Sequence, residues 1–329
     1  MAYTTIKKPS DYFNTKTYTG NNIGNQSQSV TGVGFQPDFT WIKNRSQTST
    51  HRLTDAVRGV TKDIYSNLTT AEGTNTNGLT AFGSDGFTVG SDGDYNNNGS
   101  AIVSWNWKAN GTGVANTDGS ITSTVSASAT SGFSIVKYTG NQTSGATVGT
   151  GLGAVPKMII VKNLNDAEHW QVYHISTGNT KSSQLSGTGT PDTSAVYWNN
   201  TSPTNSGFTI GNGDTVNNVN IPYIAYCFAD VQGYSKFGSY TGNANNGDGT
   251  FVYTGFKPAF IMVKNTARTQ NWSMHDSKRP GYNEVNQRLQ ANLSDAESSN
   301  NKVDLLSNGF KWKTNDGDTN GYAENHIYM

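Results

Sequence analysis

Three times the chain writes Tyr-Thr-Gly-Asn, at Tyr18–Asn21, Tyr138–Asn141 and Tyr240–Asn243, and each occurrence opens the same ordered series of signals. A proline follows at Pro37, Pro156 and Pro258, and six residues after each proline stands a Lys-Asn pair: Lys43-Asn44, Lys162-Asn163 and Lys264-Asn265. Next come segments bearing aromatics and histidine, around His51, Trp170–His174 and Trp272–His275. A Gly-Phe pair then follows at Gly86-Phe87, Gly207-Phe208 and Gly309-Phe310. The period exceeds the roughly 20–50 residues of solenoid units, so each copy reads as a small domain with its own core.

The apolar runs are short and bounded by Gly, Asn, Asp or Pro, as strands are. Repeat two displays them most clearly: Phe133–Tyr138, Met158–Val161, Trp170–His174, Ala195–Trp198, Gly207–Ile210 and Tyr223–Phe228. Closely spaced strands with frequent turn signals predict an all-β chain of three tandem antiparallel β-sandwich, jelly-roll-like repeats. The expected division is an N-terminal arm over 1–12, repeat one over 13–108, a Gly/Ser/Thr linker over 109–132, repeat two over 133–230 and repeat three over 231–329. Within the linker only Ile121–Val125 has strand character. Repeat three stops at His326–Met329, which aligns with Pro222–Ala225, leaving its closing strand incomplete and an exposed sheet edge. The joint before repeat two is long and the joint Asp230–Ser239 short, which predicts an elongated protomer rather than repeats gathered around one axis.

Most of the recurring residues have structural readings. The prolines stand where a loop enters a strand, where a missing N–H costs little. Gly86, Gly207 and Gly309 read as turn glycines with positive φ. Lys43, Lys162 and Lys264 read as solvated charges closing apolar strands.

Composition excludes several function classes. Lys plus Arg and Asp plus Glu are 23 each, so zero net charge argues against nucleic acid or an anionic membrane as partner. Charged residues are 14%, against about 25% in typical globular proteins. No run of apolar residues is long enough to span a bilayer, and Met1–Phe13 lacks a signal-peptide pattern. The single Cys227 sits in an apolar run and reads as a buried thiol in a chain made in a cytoplasm.

The sequence holds no nucleophile elbow, P-loop, Cys/His metal spacing or His-Glu-x-x-His motif, and enzymatic activity is not expected. One acidic pattern recurs after the Gly-Phe strand: Asp92-Gly-Asp94, Asn212-Gly-Asp214 and Asp316-Gly-Asp318. Alternate carboxylates in a Gly turn are the oxygen pattern of calcium loops, which makes Asp92, Asp94, Asp214, Asp316 and Asp318 the candidate metal ligands. The competing reading is Asp-Gly turn chemistry with no cofactor at all. Tyr95, Trp105 and Trp107 are the candidate glycan contacts, set against a core reading for residues at i and i+2 of one strand.

From end to end the chain resembles tail-fibre-like and capsid-appendage proteins of marine tailed phages, particularly those infecting cyanobacteria. The resemblance rests on Met1–Phe13, Gly32–Phe39, Trp41–Arg45, Thr54–Gly59, Ser84–Phe87, Val103–Lys108, Tyr234–Asn243 and Tyr253–Pro258. It implies a non-enzymatic virion structural protein, assembled in the host cytoplasm and exposed on the particle surface, and it supplies no catalytic residues. Other virion proteins are the expected partners through the N-terminal arm, because Met1–Lys8 has no counterpart ahead of repeats two and three. The elongated protomer is expected to associate with further copies of this chain as a side-by-side trimer, and the resemblance implies contact with the host surface, where a glycan is the expected partner. The alternatives are a lectin-like receptor-binding protein with a defined glycan pocket and, third, a polysaccharide depolymerase.

Overall fold

The computed structural model describes residues 4–329, so the first three residues of the expected arm lie outside the described residues. The chain is all-β, and each repeat packs a larger inner sheet on a smaller outer one. In repeat one the inner sheet runs in the order Phe13–Thr19, Ala101–Trp107, Phe39–Asn44, Arg52–Asp55. Its outer sheet is Gln28–Thr31, Gly86–Val89 and Leu79–Gly83. Repeat two repeats the plan with Phe133–Thr139, Pro222–Phe228, Met158–Asn163 and Gln171–His174 inside, and Ala146–Gly149 paired with Gly207–Ile210 outside. Repeat three uses Gly238–Thr241, Asn325–Tyr328, Phe260–Asn265 and Trp272–Asp276 inside, and Phe251–Tyr253, Gly309–Trp312 and Val303–Leu306 outside. In every repeat the closing strand slots between the first two inner strands, so it is central rather than an edge.

The three repeats share one core, which corrects the expectation of an elongated protomer. Strand alternation assigns the two faces of each inner sheet. Ile42 faces the core between the two sheets of repeat one, as Ile159 and Val161 do in repeat two and Ile261 and Val263 in repeat three. The alternate residues Phe39, Trp41, Met158, Ile160 and Met262 all enter a single central cluster with Trp105, Trp170 and Trp272. That is why these strands read as continuously apolar: one face fills the repeat's own core and the other fills the common one. Phe39 stacks on Tyr226 across the boundary of repeats one and two, with ring centroids 4.2 Å apart. The unequal joints misled because the expected linker does not separate anything. Val114–Asn116 and Ser123–Ser128 extend the inner sheet of repeat two, which reaches eight strands.

Two local readings also change. Ala195–Trp198 forms a helical turn rather than a strand, with Val196 N–H bonded to the Ser194 hydroxyl at its start and Asn199 at φ 50° at its end. The three Gly-Phe glycines are required by close approach more than by positive φ, which only Gly86 of the three adopts. A Cβ there would stand 2.0 Å from the carbonyl of Val30, and the equivalents at Gly207 and Gly309 would stand 2.2 and 2.1 Å from those of Val148 and Val252. No helix among the described residues is long and apolar enough to cross a membrane.

Candidate functional site

The Tyr-Thr-Gly-Asn motif is a clamp on a four-residue helical turn that follows each Gly-Phe strand. Tyr18 and Tyr138 donate from their hydroxyls to the carbonyls of Tyr95 at 2.8 Å and Val216 at 2.7 Å, and Tyr240 donates likewise to Thr319. The glycines permit contact: a Cβ on Gly20, Gly140 or Gly242 would lie 2.2 Å from the carbonyl oxygen of Asn97, Asn218 or Gly321. The backbone N–H of Asn21, Asn141 and Asn243 then bonds to the side-chain oxygen of Asn96, Asn217 and Asn320 at 2.7, 2.9 and 3.0 Å. The side-chain amides of Asn44, Asn163 and Asn265 complete the clamp by donating to the carbonyls of Gly93, Asp214 and Gly317. The recurrence in sequence therefore marks a fold requirement.

The five candidate calcium ligands lie on these turns, divided among the three repeats. Asp92 and Asp316 cap their turns by accepting from the N–H of Asp94 and Asp318, each at 2.8 Å. Asp94 accepts from Ser49 at 2.7 Å and from Thr50 at 2.6 Å, and pairs with Arg52 at 2.7 Å. Burial works to raise this carboxyl, but the hydroxyl and guanidinium donors outweigh it and hold it below the usual range. Asp318 accepts from the N–H of Asn271 and from Gln290 and pairs with Arg288 at 3.3 Å. Burial leaves its carboxyl raised. Asp214 begins the turn Asp214–Asn217 of repeat two, and its carbonyl accepts from the Tyr223 hydroxyl at 2.6 Å. Among the described residues no three His, Cys, Asp or Glu side chains come together in a group able to hold a metal ion.

The candidate glycan contacts are corrected by burial. Tyr95 and Trp105 are fully buried and Trp107 is 5% exposed. Tyr95 belongs to the core of repeat one and both tryptophans to the central cluster, so Tyr95 and Trp105 present no face to a sugar, and Trp107 reaches the surface only in the wall of a groove. Two aromatics on one strand face were core, because the inner sheet has no solvent face.

The recurring lysines are also corrected: Lys43, Lys162 and Lys264 are fully buried. Each lies on the central-core face of its strand, at the rim, where backbone carbonyls replace water. Lys162 Nζ donates to the carbonyls of Asn163 at 2.6 Å, Asp166 at 3.3 Å and Thr69 of repeat one at 3.1 Å. Lys264 Nζ does the same with Asn265, Gln270 and, from repeat two, Thr188 at 2.9 Å. Lys43 Nζ bonds to Asn44 and Gln47, with Asp295 and Glu297 of repeat three nearby. Burial lowers all three amines to about 8.

Sequence reasoning missed two buried ion pairs at the repeat boundaries, Asp55–Arg58 at 2.5 Å and Asp276–Arg279 at 2.7 Å. The signal was present as Asp-x-x-Arg at equivalent places. His174 stands at the corresponding position of repeat two and bonds through Nε2 to the Tyr328 carbonyl at 3.1 Å.

A surface groove of about 580 Å³ lies beside the end of the third closing strand. It is within the size range of ligand sites, about 300–1,000 Å³. Pro9, Ser10 and Phe13 of the N-terminal segment form part of its wall, with Trp107, Phe228 and Phe260 from the three repeats. Phe13 lies 4.8 Å from Trp107 and 5.8 Å from Phe260 between ring centroids. Lys236, Lys257 and Lys278 line it and are exposed, whereas no Asp or Glu does. Lys236 pairs with Asp230 at 3.2 Å, so Lys257 and Lys278 carry the charge at the rim of an apolar floor. No curated protein and no solved structure matches the chain. A family model matches residues 8–329, and the chain belongs to that family, whose description is Domain of unknown function (DUF7483).

Proposed function

We propose that this chain is a non-enzymatic structural protein of a tailed-phage virion, a tail-fibre or capsid-appendage component that docks onto the particle through the face carrying its N-terminal segment and groove. The observation that carries this reading is the position of the groove, where Pro9–Phe13 and aromatics of all three repeats meet beneath three lysines. Three repeats closed around one core give a rigid knob, and surfaces rich in Asn, Ser and Thr amides and hydroxyls suit exposure at high ionic strength, where ion pairs are screened. The resemblance to marine phage appendage proteins supports the setting. Antibody to this chain, applied to purified particles and viewed by electron microscopy, tests it: discrete labelling of an appendage is expected. Deletion of Met1–Pro9 is expected to leave a folded protein missing from particles, and unchanged incorporation would overturn attachment through this face.

A lectin-like second reading has its own observation. On the outer sheet of repeat three, Phe251 and Tyr253 share the solvent face, 43% and 63% exposed, where repeats one and two carry Ser29 and Thr31, and Thr147 and Gly149. Two exposed rings on one strand face offer a stacking platform for a sugar. Saturable binding of host envelope glycan that Tyr253→Ala abolishes would favour this reading, and shortened glycan chains would favour a depolymerase over both.

A further inference from the structure

A side chain that only one of the three repeats carries is not required by the fold they share. The outer sheets correspond strand for strand, with Val30, Val148 and Val252 facing Phe87, Phe208 and Phe310. The residues flanking those valines point outward. Repeat one has Ser29 and Thr31 there, opposite Thr88 and Gly86, and repeat two has Thr147 and Gly149 opposite Thr209 and Gly207. Repeat three has Phe251 and Tyr253, opposite Lys311 and Gly309. On its next strand Asp304 and Leu306 replace Ala81 and Gly83 of repeat one.

These replacements build one patch. Gly309 lies between Tyr253 and Leu306 in the ladder, and the Phe251 ring leans across it: a Cβ there would stand 3.1 Å from Phe251 Cε2 and Cζ. Lys311 is ion-paired with Asp248, which Lys313 also neighbours. The half-buried Asp304 sits directly across the ladder from Lys311, and its carboxylate makes no hydrogen bond or ion pair among the described residues. Two lysines and two carboxylates cancel, so the patch offers no net charge to an ionic partner. At about 200 Å² per ring, the exposed fractions of Phe251 and Tyr253 present roughly 200 Å² of ring surface, against about 800 Å² per partner in a specific protein interface. A patch of that size suits a small polyhydroxylated ring.

We propose that the outer sheet of repeat three binds a neutral hexose unit of a polysaccharide, whose C–H face stacks on Tyr253 and Phe251 and whose hydroxyls donate to Asp304. This deepens the lectin-like reading and rests on it. The rings supply contact area, and the free carboxylate orients the sugar by accepting from its hydroxyls while repelling an acidic sugar.

The test titrates the full chain calorimetrically with cellotetraose, mannotetraose, β-1,4-galactotetraose and, as the acidic probe, trigalacturonate. Saturable binding of a neutral tetraose and none of trigalacturonate are expected. Combining Phe251→Ser with Tyr253→Thr installs the residues that repeat one carries at these places, and should weaken binding about tenfold or more with Tm retained. Asp304→Asn should weaken it about fivefold, the difference between a charged and a neutral acceptor, and lessen the exclusion of trigalacturonate. Neutral-sugar binding that the double variant leaves unchanged sinks this site and keeps the lectin-like reading. Binding of trigalacturonate alone overturns the ligand class. No binding of any neutral tetraose at millimolar concentration overturns the proposal, and host envelope glycan that also fails to bind would take the lectin-like reading with it.

Discussion

The Tyr226 hydroxyl of repeat two donates to Asp55 Oδ2 of repeat one at 2.8 Å, in the middle of the buried Asp55–Arg58 pair. Trp105 of repeat one makes the corresponding bond, Nε1 to Asp276 Oδ2 at 2.9 Å, to repeat three. His174 of repeat two reaches the Tyr328 carbonyl of repeat three. Each boundary between repeats therefore carries a buried side-chain hydrogen bond.

One consequence is cooperativity. The protein is expected to unfold in a single transition, with calorimetric and van't Hoff enthalpies equal, and two or three separable transitions would contradict a shared core. Asp55→Asn leaves the Arg58 guanidinium buried with its closest counter-charge removed, and should cost about 3–5 kcal/mol in denaturant titration. Tyr226→Phe removes one neutral donor and should cost about 1–2 kcal/mol.

The clamp makes a second prediction through its glycines. Gly140→Ala drives a methyl toward the Asn218 carbonyl at 2.2 Å, so the helical turn must move, at a cost of about 1–3 kcal/mol. Gly93→Ala meets nothing within 4 Å and should stay within about 0.5 kcal/mol of the parent. Urea midpoints of the two variants check the contrast, and equal values would remove the close-approach account.

Alkaline stability follows from the three buried lysines. Their amines are lowered by burial to about 8, against 10.5 when unfolded. Between those values the unfolded chain binds more protons than the native one, so stability rises with pH, and below about 8 the burial penalty is constant. Above about pH 10 the slope reverses, because unfolded tyrosines ionise while burial keeps Tyr95, Tyr138 and Tyr226 neutral. Urea midpoints at pH 7.5, 8.5 and 9.5 should therefore climb, and Lys162→Met should flatten the climb. A flat series would mean that the carbonyl cages hold the amines charged in the native state across this range.

Acid acts in the opposite sense. Burial lowers His174 and His326 to about 4, from 6.5. In the native state both stay neutral where unfolded histidines charge, so stability is lost as pH falls from about 6.5 through 4. His174→Gln should shrink the loss measured between pH 7 and pH 5, and an unchanged loss would place the acid sensitivity elsewhere.

Much of this protein was legible in the chain itself. The repetition of Tyr-Thr-Gly-Asn, the strand-entry prolines and the alternating apolar runs determined an all-β fold in three copies, because turn chemistry and pleat periodicity are local. The same recurrence marked Asn44, Asn163 and Asn265 without revealing the turn that they hold, since their partners Gly93, Asp214 and Gly317 are some 50 residues away in sequence. Only the tertiary structure decided which face of Phe39–Asn44, Met158–Asn163 and Phe260–Asn265 meets a second repeat. A strand with two apolar faces is consistent with either isolated sandwiches or a ring, and the choice rests on contacts such as Phe39 on Tyr226. Burial of Lys43, Trp105 and Trp107 followed from that choice. A residue's exposure belongs to the assembly of sheets around it, and no spacing along the chain encodes that assembly.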